Sequence, residues 1–258
     1  MSKVILISID GMRPDGLKQC GNEYVDTLMK ESSYTFNAQT VFPSVTLPFH
    51  LSMFQSVPPQ RHGTLTNDYA IPVRPVNGIF EQIRDSGNKR SAFFYGWEPL
   101  RDIATVRTLT ASEYFSVYLD NSDAILTGKA LDSIKALNHD FVFLYMARTD
   151  DEGHTHGWMG AEYLDCINKA ISNVKRVIDE VGDEYTVIIT ADHGGHERSH
   201  GTDMPEDMTI PLFLRGREFE PGKELNDVSI LDIAPTVAAV MGIEPAREWE
   251  GKSLITKS

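Results

Sequence analysis

Three short apolar runs, each followed by an acid, constrain this chain more than anything else in it. Val4-Ile5-Leu6-Ile7-Ser8-Ile9 ends at Asp10. Phe141-Val142-Phe143-Leu144-Tyr145 leads into a polar stretch that holds Asp150, and Tyr185-Thr186-Val187-Ile188-Ile189 runs into Thr190-Ala191-Asp192. Near-continuous runs of this length, as opposed to alternating ones, mark strands covered on both faces, as in a parallel sheet. Helical spacing separates them, over Asp120 to Leu137 and over Ala161 to Val181. In the second, Ile167, Ile171, Val174 and Ile178 share one face. This alternation predicts an α/β fold, a three-layer α/β/α sandwich with a mainly parallel central sheet. Ligands of such a sheet collect outside the carboxyl ends of its strands.

Weaker signals complete the pattern. Tyr24 to Glu31, Ile79 to Ser86 and Leu231 to Met241 are expected helices. Ser91 to Tyr95 and Thr209 to Arg215 are expected strands, and Phe36 to Phe42 is expected to be extended. Pro43 to Phe49 reads as a loop before a helix over His50 to Gln55, and Arg148 to His154 reads as a polar loop. There is no internal repeat, low-complexity tract or linker. One domain over residues 1–258 is expected, with a small cap or insertion within 68–110, the least regular stretch.

Charge narrows the partners. The chain has 24 Lys and Arg against 37 Asp and Glu, a formal net charge of −13. Phosphate backbones and anionic membranes need clustered bases, so no nucleic-acid polymer and no membrane is expected as a partner. A small phosphorylated substrate stays compatible, because metal ions can supply local positive charge. Cys20 and Cys166 form no CxxC pair, and the first apolar run is too short for a signal or membrane segment. A cytoplasmic location is expected.

Four separate segments carry candidate metal ligands: Asp10; Thr46 and its neighbours; Asp150 with His154; and Asp192, His193 and His200. Asp192-His193-Gly194-Gly195 sets a hard oxygen donor beside an imidazole, with glycines that let the backbone turn. Asp150 and His154 lie four apart, so a helix or a tight loop brings them together. Mixed carboxylate and imidazole donors suit zinc, with manganese or iron as alternatives. Three acids and three histidines exceed the needs of one tetrahedral ion. Two ions about 4 Å apart would use them all and clamp an in-line displacement. Thr46, between Pro43 and Pro48 at a helix start, reads either as a helix N-cap or as a hydroxyl nucleophile.

Together these segments resemble the alkaline phosphatase superfamily, within it the type I phosphodiesterase/nucleotide pyrophosphatase branch. The resemblance rests on Ile7-Ser8-Ile9-Asp10-Gly11-Met12-Arg13, Phe42-Pro43-Ser44-Val45-Thr46-Leu47-Pro48, and Arg61-His62-Gly63 with Asn67. It continues through Asp150 to His154, Thr190-Ala191-Asp192-His193-Gly194 and Ser199-His200-Gly201, and closes on Asp232-Ile233-Ala234-Pro235-Thr236 with Gly251-Lys252-Ser253-Leu254. It implies an alkaline-phosphatase-like fold and two divalent metals, usually zinc. One would be held by Asp150, His154 and His200, the other by Asp10, Asp192, His193 and the Thr46 hydroxyl. It further implies Thr46 as nucleophile through a covalent phospho-threonine, with Asn67 and the Leu47 N–H as donors to phosphoryl oxygens. The implied activity is cleavage of phosphodiester or pyrophosphate bonds in a small substrate such as a nucleotide.

Two departures qualify the substrate. Where the branch commonly has Thr-Phe-Pro-Asn-His, this chain has Thr46-Leu47-Pro48-Phe49-His50. The chain also leaves little room for the branch's leaving-group insertion. A phosphomonoesterase or phosphonate hydrolase of the same fold is the alternative, and a non-catalytic metal-binding module the alternative of another class. A sulfatase is disfavoured, since neither cysteine sits in a Cys-x-Pro-x-Arg context. Ser44 is a rival nucleophile and Asp151 a rival ligand. His62 reads as a structural hydrogen-bonding group, and His50 as a helix-start or supporting group. His156 and His196 read as solvated loop residues.

Overall fold

The centre of the sheet is the first apolar run. In the computed structural model, which describes residues 2–72, 74–105 and 107–257, β1 (Lys3–Ile9) is flanked by β5 (Phe141–Met146) and β6 (Tyr185–Thr190). Both pairings are parallel, with Ile9 opposite Met146 and Ser8 opposite Thr190. The three runs therefore lie side by side, and the residues that follow them emerge on one rim. β3 (Ser91–Tyr95) joins β5, and β4 (Ala111–Tyr114) forms that edge, again in parallel. On the other flank β7 (Thr209–Arg215) and β2 (Ser33–Gln39) are antiparallel, giving the order β2-β7-β6-β1-β5-β3-β4. The sheet is mixed and mainly parallel.

Helices cover both faces. One layer holds α1 (Pro14–Gln19), α2 (Tyr24–Glu31), α6 (Ser122–Leu137), α7 (Arg148–His156) and α8 (Ala161–Val181). The other holds α3 (Thr46–Gln55), α4 (Pro59–His62), α5 (Ile79–Asp85) and α10 (Ile233–Met241); α9 (Pro205–Met208) leads into β7. Every residue of β5 and β6 is buried, as the continuous apolar runs require. Among the described residues no helix is long and apolar enough to cross a membrane. Within 68–110, α5 and β3 belong to the sandwich, residues 68–72 and 74–78 carry neither helix nor strand, and Val73 and Val106 lie outside the described residues.

Several boundaries differ from the expected ones. α3 starts at Thr46 and not at His50. Its prolines read as loop residues, yet Pro48 falls in the first helical turn, where the missing N–H has no partner to lose. Arg148–His156 is a helix and not a loop; with no apolar side chain it offers no periodicity to read. The second strand is Ser33–Gln39 and not 36–42. α1 and β4 gave no signal: α1 is six residues beginning with proline, and β4 is a four-residue edge strand.

Candidate metal centre

The three acids and His193 owe their places to segments that leave strand ends. Asp10 follows β1, and its N–H donates to Met146 O at 2.9 Å. Gly11 takes a positive φ of 65°, which a side chain rarely adopts. A Cβ there would also lie 3.1 Å from Asp150 Oδ1, so the glycine lets the turn pass against the neighbouring acid. Asp150 and His154 sit one helical turn apart on α7 after β5. Asp192 and His193 follow β6, and His200 returns on the loop beyond. Thr46 is the first residue of α3.

These residues converge in two groups. His193 Nε2 lies 3.3 Å from Asp10 Oδ1, 3.5 Å from Asp192 Oδ2 and 3.2 Å from Thr46 Oγ1. Asp150 Oδ2 is 3.3 Å from His154 Nε2, and its Oδ1 is 3.6 Å from His200 Nε2. The His193 and His200 rings stack with centroids 3.8 Å apart, which sets the groups side by side. The first is buried, and the second is partly open through His154.

The polar bookkeeping tests whether the residues suit a cation. Asp10 Oδ1, Asp150 Oδ1 and Asp192 Oδ2 are buried and have no hydrogen-bond partner. Such atoms are costly unless something satisfies them. The opposite oxygens are occupied: Asp192 Oδ1 accepts from the N–H of Gly11 at 3.0 Å and of His193 at 2.9 Å, and Asp10 Oδ2 accepts from the Tyr145 hydroxyl. All three histidines donate Nδ1–H to a backbone carbonyl: His193 to Gly194 at 2.7 Å, His154 to Arg198 at 2.9 Å, His200 to Ser44 at 2.9 Å. A carbonyl only accepts, so Nδ1 carries a proton and each Nε2, which offers a lone pair when the ring is neutral, turns toward the acids. Unsatisfied carboxylate oxygens facing imidazole lone pairs fit divalent metal ions.

Electrostatics agree. Burial, with Asp150 and Asp192 nearby, holds Asp10 well above the usual carboxylate range. The hydrogen bond to Asp150 lifts His154 to about 9, while burial pushes His200 down to about 4. A cavity of about 190 Å³ opens on the site, lined by Asp10, Thr46, Asn67, Trp97, Tyr118, Asp151 and their neighbours. No lysine or arginine lines it among the described residues. Arg13 is held by Asp15 and by Gly195 O, and Arg148 by Asp151, Glu152 and Val117 O.

The Leu47 N–H does not point free. It donates to Asn67 Oδ1 at 3.0 Å, which leaves the Asn67 amide nitrogen as the donor. Ser44 Oγ donates to Thr202 O at 2.7 Å. His62 pairs with Ser52 and accepts from Thr64 N–H. His50, fully buried, donates Nδ1–H to Thr46 O at 2.7 Å. His196 is tied to the buried Asp207 at 2.8 Å. Sequence reasoning missed Trp158 and Tyr145. The Trp158 indole donates to Gly11 O at 2.9 Å. Its ring fills the space where a Cβ on Gly153 would come to 2.7 Å and on Gly195 to 2.2 Å. One side chain thus seats α7, the loop after β6 and the turn after β1. Those two glycines were the signal that could have located it.

Comparison with known proteins places these features in a family context. The profile of the metalloenzyme superfamily matches residues 89–245, and that of type I phosphodiesterase/nucleotide pyrophosphatase matches residues 4–129. The 2,3-bisphosphoglycerate-independent phosphoglycerate mutase of Clostridioides difficile (strain 630) is 33% identical over 139 residues, 51% of this chain and 27% of that protein. Ectonucleotide pyrophosphatase/phosphodiesterase family member 1 of Rattus norvegicus is 24% identical over 225 residues, 76% of this chain and 24% of that protein. The chain thus spans about a quarter of the length of these relatives. Murine ectonucleotide pyrophosphatase/phosphodiesterase 5, solved in complex with AMP, superposes with a TM-score of 0.82 at 14% identity, covering 95% of this chain and 96% of that one.

Proposed function

The chain belongs to the metalloenzyme superfamily, on the nucleotide pyrophosphatase/phosphodiesterase branch of the alkaline phosphatase fold, and from that premise we propose that it is a two-metal hydrolase of phosphodiester or pyrophosphate bonds. Asp150, His154 and His200 would hold one ion, and Asp10, Asp192, His193 and Thr46 the other. Zinc fits the mixed donors, with manganese or iron as alternatives. Such ions supply the positive charge that lowers the pKa of a hydroxyl and neutralises phosphoryl oxygens. Thr46 Oγ attacks phosphorus in line, the P–O bond to the leaving group breaks, and a phospho-threonine forms that water then cleaves. The N-terminus of α3 faces the phosphoryl group with its dipole. The Asn67 amide nitrogen donates to a non-bridging oxygen.

The observation that carries the diester reading is the wall of the cavity. Among the described residues it has no lysine or arginine to pair with the second charge of a monoester, and it adds the acid Asp151. Trp97 and Tyr118 on the same wall support a small nucleotide as substrate, as does the AMP complex of the murine relative. A second reading, phosphoryl transfer on monoesters, draws support from the 33% identity to a mutase. Both cysteines are free and buried, which supports a cytoplasmic location.

The test is a chromogenic panel on the metal-loaded protein. Turnover of bis-p-nitrophenyl phosphate and of a nucleoside p-nitrophenyl phosphate well above p-nitrophenyl phosphate is expected. The reverse order favours the monoester reading, and no turnover of any ester with metals bound favours a binding module.

A further inference from the structure

α7 carries two of the candidate ligands and has no apolar face of its own to hold it in place. Its sequence, from Arg148 to His156, contains no apolar side chain, and only Thr149 and Gly153 are buried. Nine residues of that composition do not form a stable helix alone in water, and there is no greasy face to dock. A cavity of about 630 Å³ lies along its outer side, lined by Arg148 and Glu152 and, from α8, Cys166 and Lys169. Packing there is incomplete. The start of the helix has no local cap either, because its N-cap residue is Ala147.

The first backbone N–H groups of a helix need partners from elsewhere. Here they find Asp123, 24 residues upstream: its carboxylate accepts from Ala147 N–H at 3.1 Å and, more loosely, from Arg148 N–H at 3.4 Å. Asp123 lies in the first turn of α6, a helix anchored by the buried Leu126, Ala130 and Leu131. Its own carbonyl accepts from Thr127 Oγ at 2.7 Å. A buried carboxylate on a helix with an apolar face thus closes the buried start of one that has none.

We propose that Asp123 is a positioning residue for the metal centre: by clamping the N-terminus of α7 it fixes Asp150 and His154 relative to His200. In its metal arm this rests on the two-ion reading above. The clamp acts on one ligand group only. Asp10, Asp192 and His193 follow β1 and β6 and are not carried by α7, and Asp123 makes no hydrogen bond to the segments that hold them.

The experiment compares zinc binding by the wild-type protein and Asp123→Asn through chelator competition. Burial pushes the Asp123 carboxyl up to about 7, so the comparison is made well above that pH, with the carboxylate charged. The wild type is expected to bind two zinc ions. Asp123→Asn should hold one with wild-type affinity and the other roughly tenfold more weakly, the scale of a lost supporting contact. A merely structural role would weaken both sites together, so equal weakening, or no change at either site, overturns the proposal. Amide hydrogen exchange of the metal-free wild type gives an arm that needs neither the variant nor a metal. Ala147 and Arg148 amides as protected as those of β5 support the clamp, and exchange at the rate of a frayed helix end overturns it. Fewer than two zinc ions on the wild type would sink the two-ion reading, and the exchange data would still decide the clamp.

Discussion

Thr46 is singled out by what its neighbours are already doing. His193 gives its Nδ1–H to Gly194 O, so its Nε2, 3.2 Å away, is an acceptor for the threonine hydroxyl. The rival Ser44 is turned aside to Thr202 O. Thr46→Ala should therefore keep its bound metal, because the Asp10, Asp192 and His193 donors remain, yet lose turnover by at least about a thousandfold. Ser44→Ala should stay near the wild-type rate. Metal content by elemental analysis, alongside kcat, checks both; a Thr46→Ala protein with wild-type kcat would remove the nucleophile assignment. The acids and histidines that converge here were legible as candidate metal donors because hard donors at strand ends have few other uses. Trp158 was not, since its job is to let three backbone segments approach, and a lone indole in sequence reads as core.

At the scale of elements, the buried strands were plain and the two helices that carry Thr46, Asp150 and His154 were not. β1, β5 and β6 announce themselves because both faces are covered, so most positions are apolar. α3 hid its start behind prolines, and α7 hid altogether, because a helix held by a distant carboxylate, ion pairs and one indole needs no hydrophobic stripe. The same dependence on close approach governs the loop after β6. Gly194 N–H donates to Asp207 O at 2.9 Å and Gly195 N–H to Glu206 O at 3.0 Å, and a Cβ on Gly194 would sit 1.9 Å from Glu206 O. Backbone cannot swing away as a flexible side chain can. Gly194→Ala should cost about 1–3 kcal/mol of stability and weaken metal binding, because His193 and His200 both ride on this loop. Urea unfolding of the metal-free protein measures the first effect. An unchanged midpoint would mean that the loop does not take the course described.

At the scale of the whole molecule, the strand order brings together acids that the chain must carry as a burden until cations arrive. Burial and the neighbouring Asp150 and Asp192 keep Asp10 protonated well beyond the usual carboxylate range. The hydrogen bond to Asp150 keeps His154 protonated up to about 9. In both cases the fold holds a proton that the unfolded chain releases, so stability falls as pH rises. For His154 that loss runs from 6.5 to about 9, and Asp10 adds the same sign from the carboxylate range upward. Buried His50, His62 and His200 act oppositely. Burial lowers each to about 4, so the unfolded chain binds the proton first and stability is lost as pH falls from 6.5 toward 4. Asp123, raised by burial to about 7, offsets part of that acid-side loss. The metal-free protein should therefore be most stable near pH 6.5. The net charge of −13 adds self-repulsion at high pH, but it bears on chelated and metal-loaded protein alike, so the difference between them isolates the centre. Divalent ions replace the protons on Asp10 and His154, and the metal-loaded protein should lack the alkaline decline. Urea unfolding of both forms between pH 6.5 and about 9 decides it: if the chelated protein is as flat over that range as the loaded one, the acids and histidines at the strand ends are not coupled as their geometry implies.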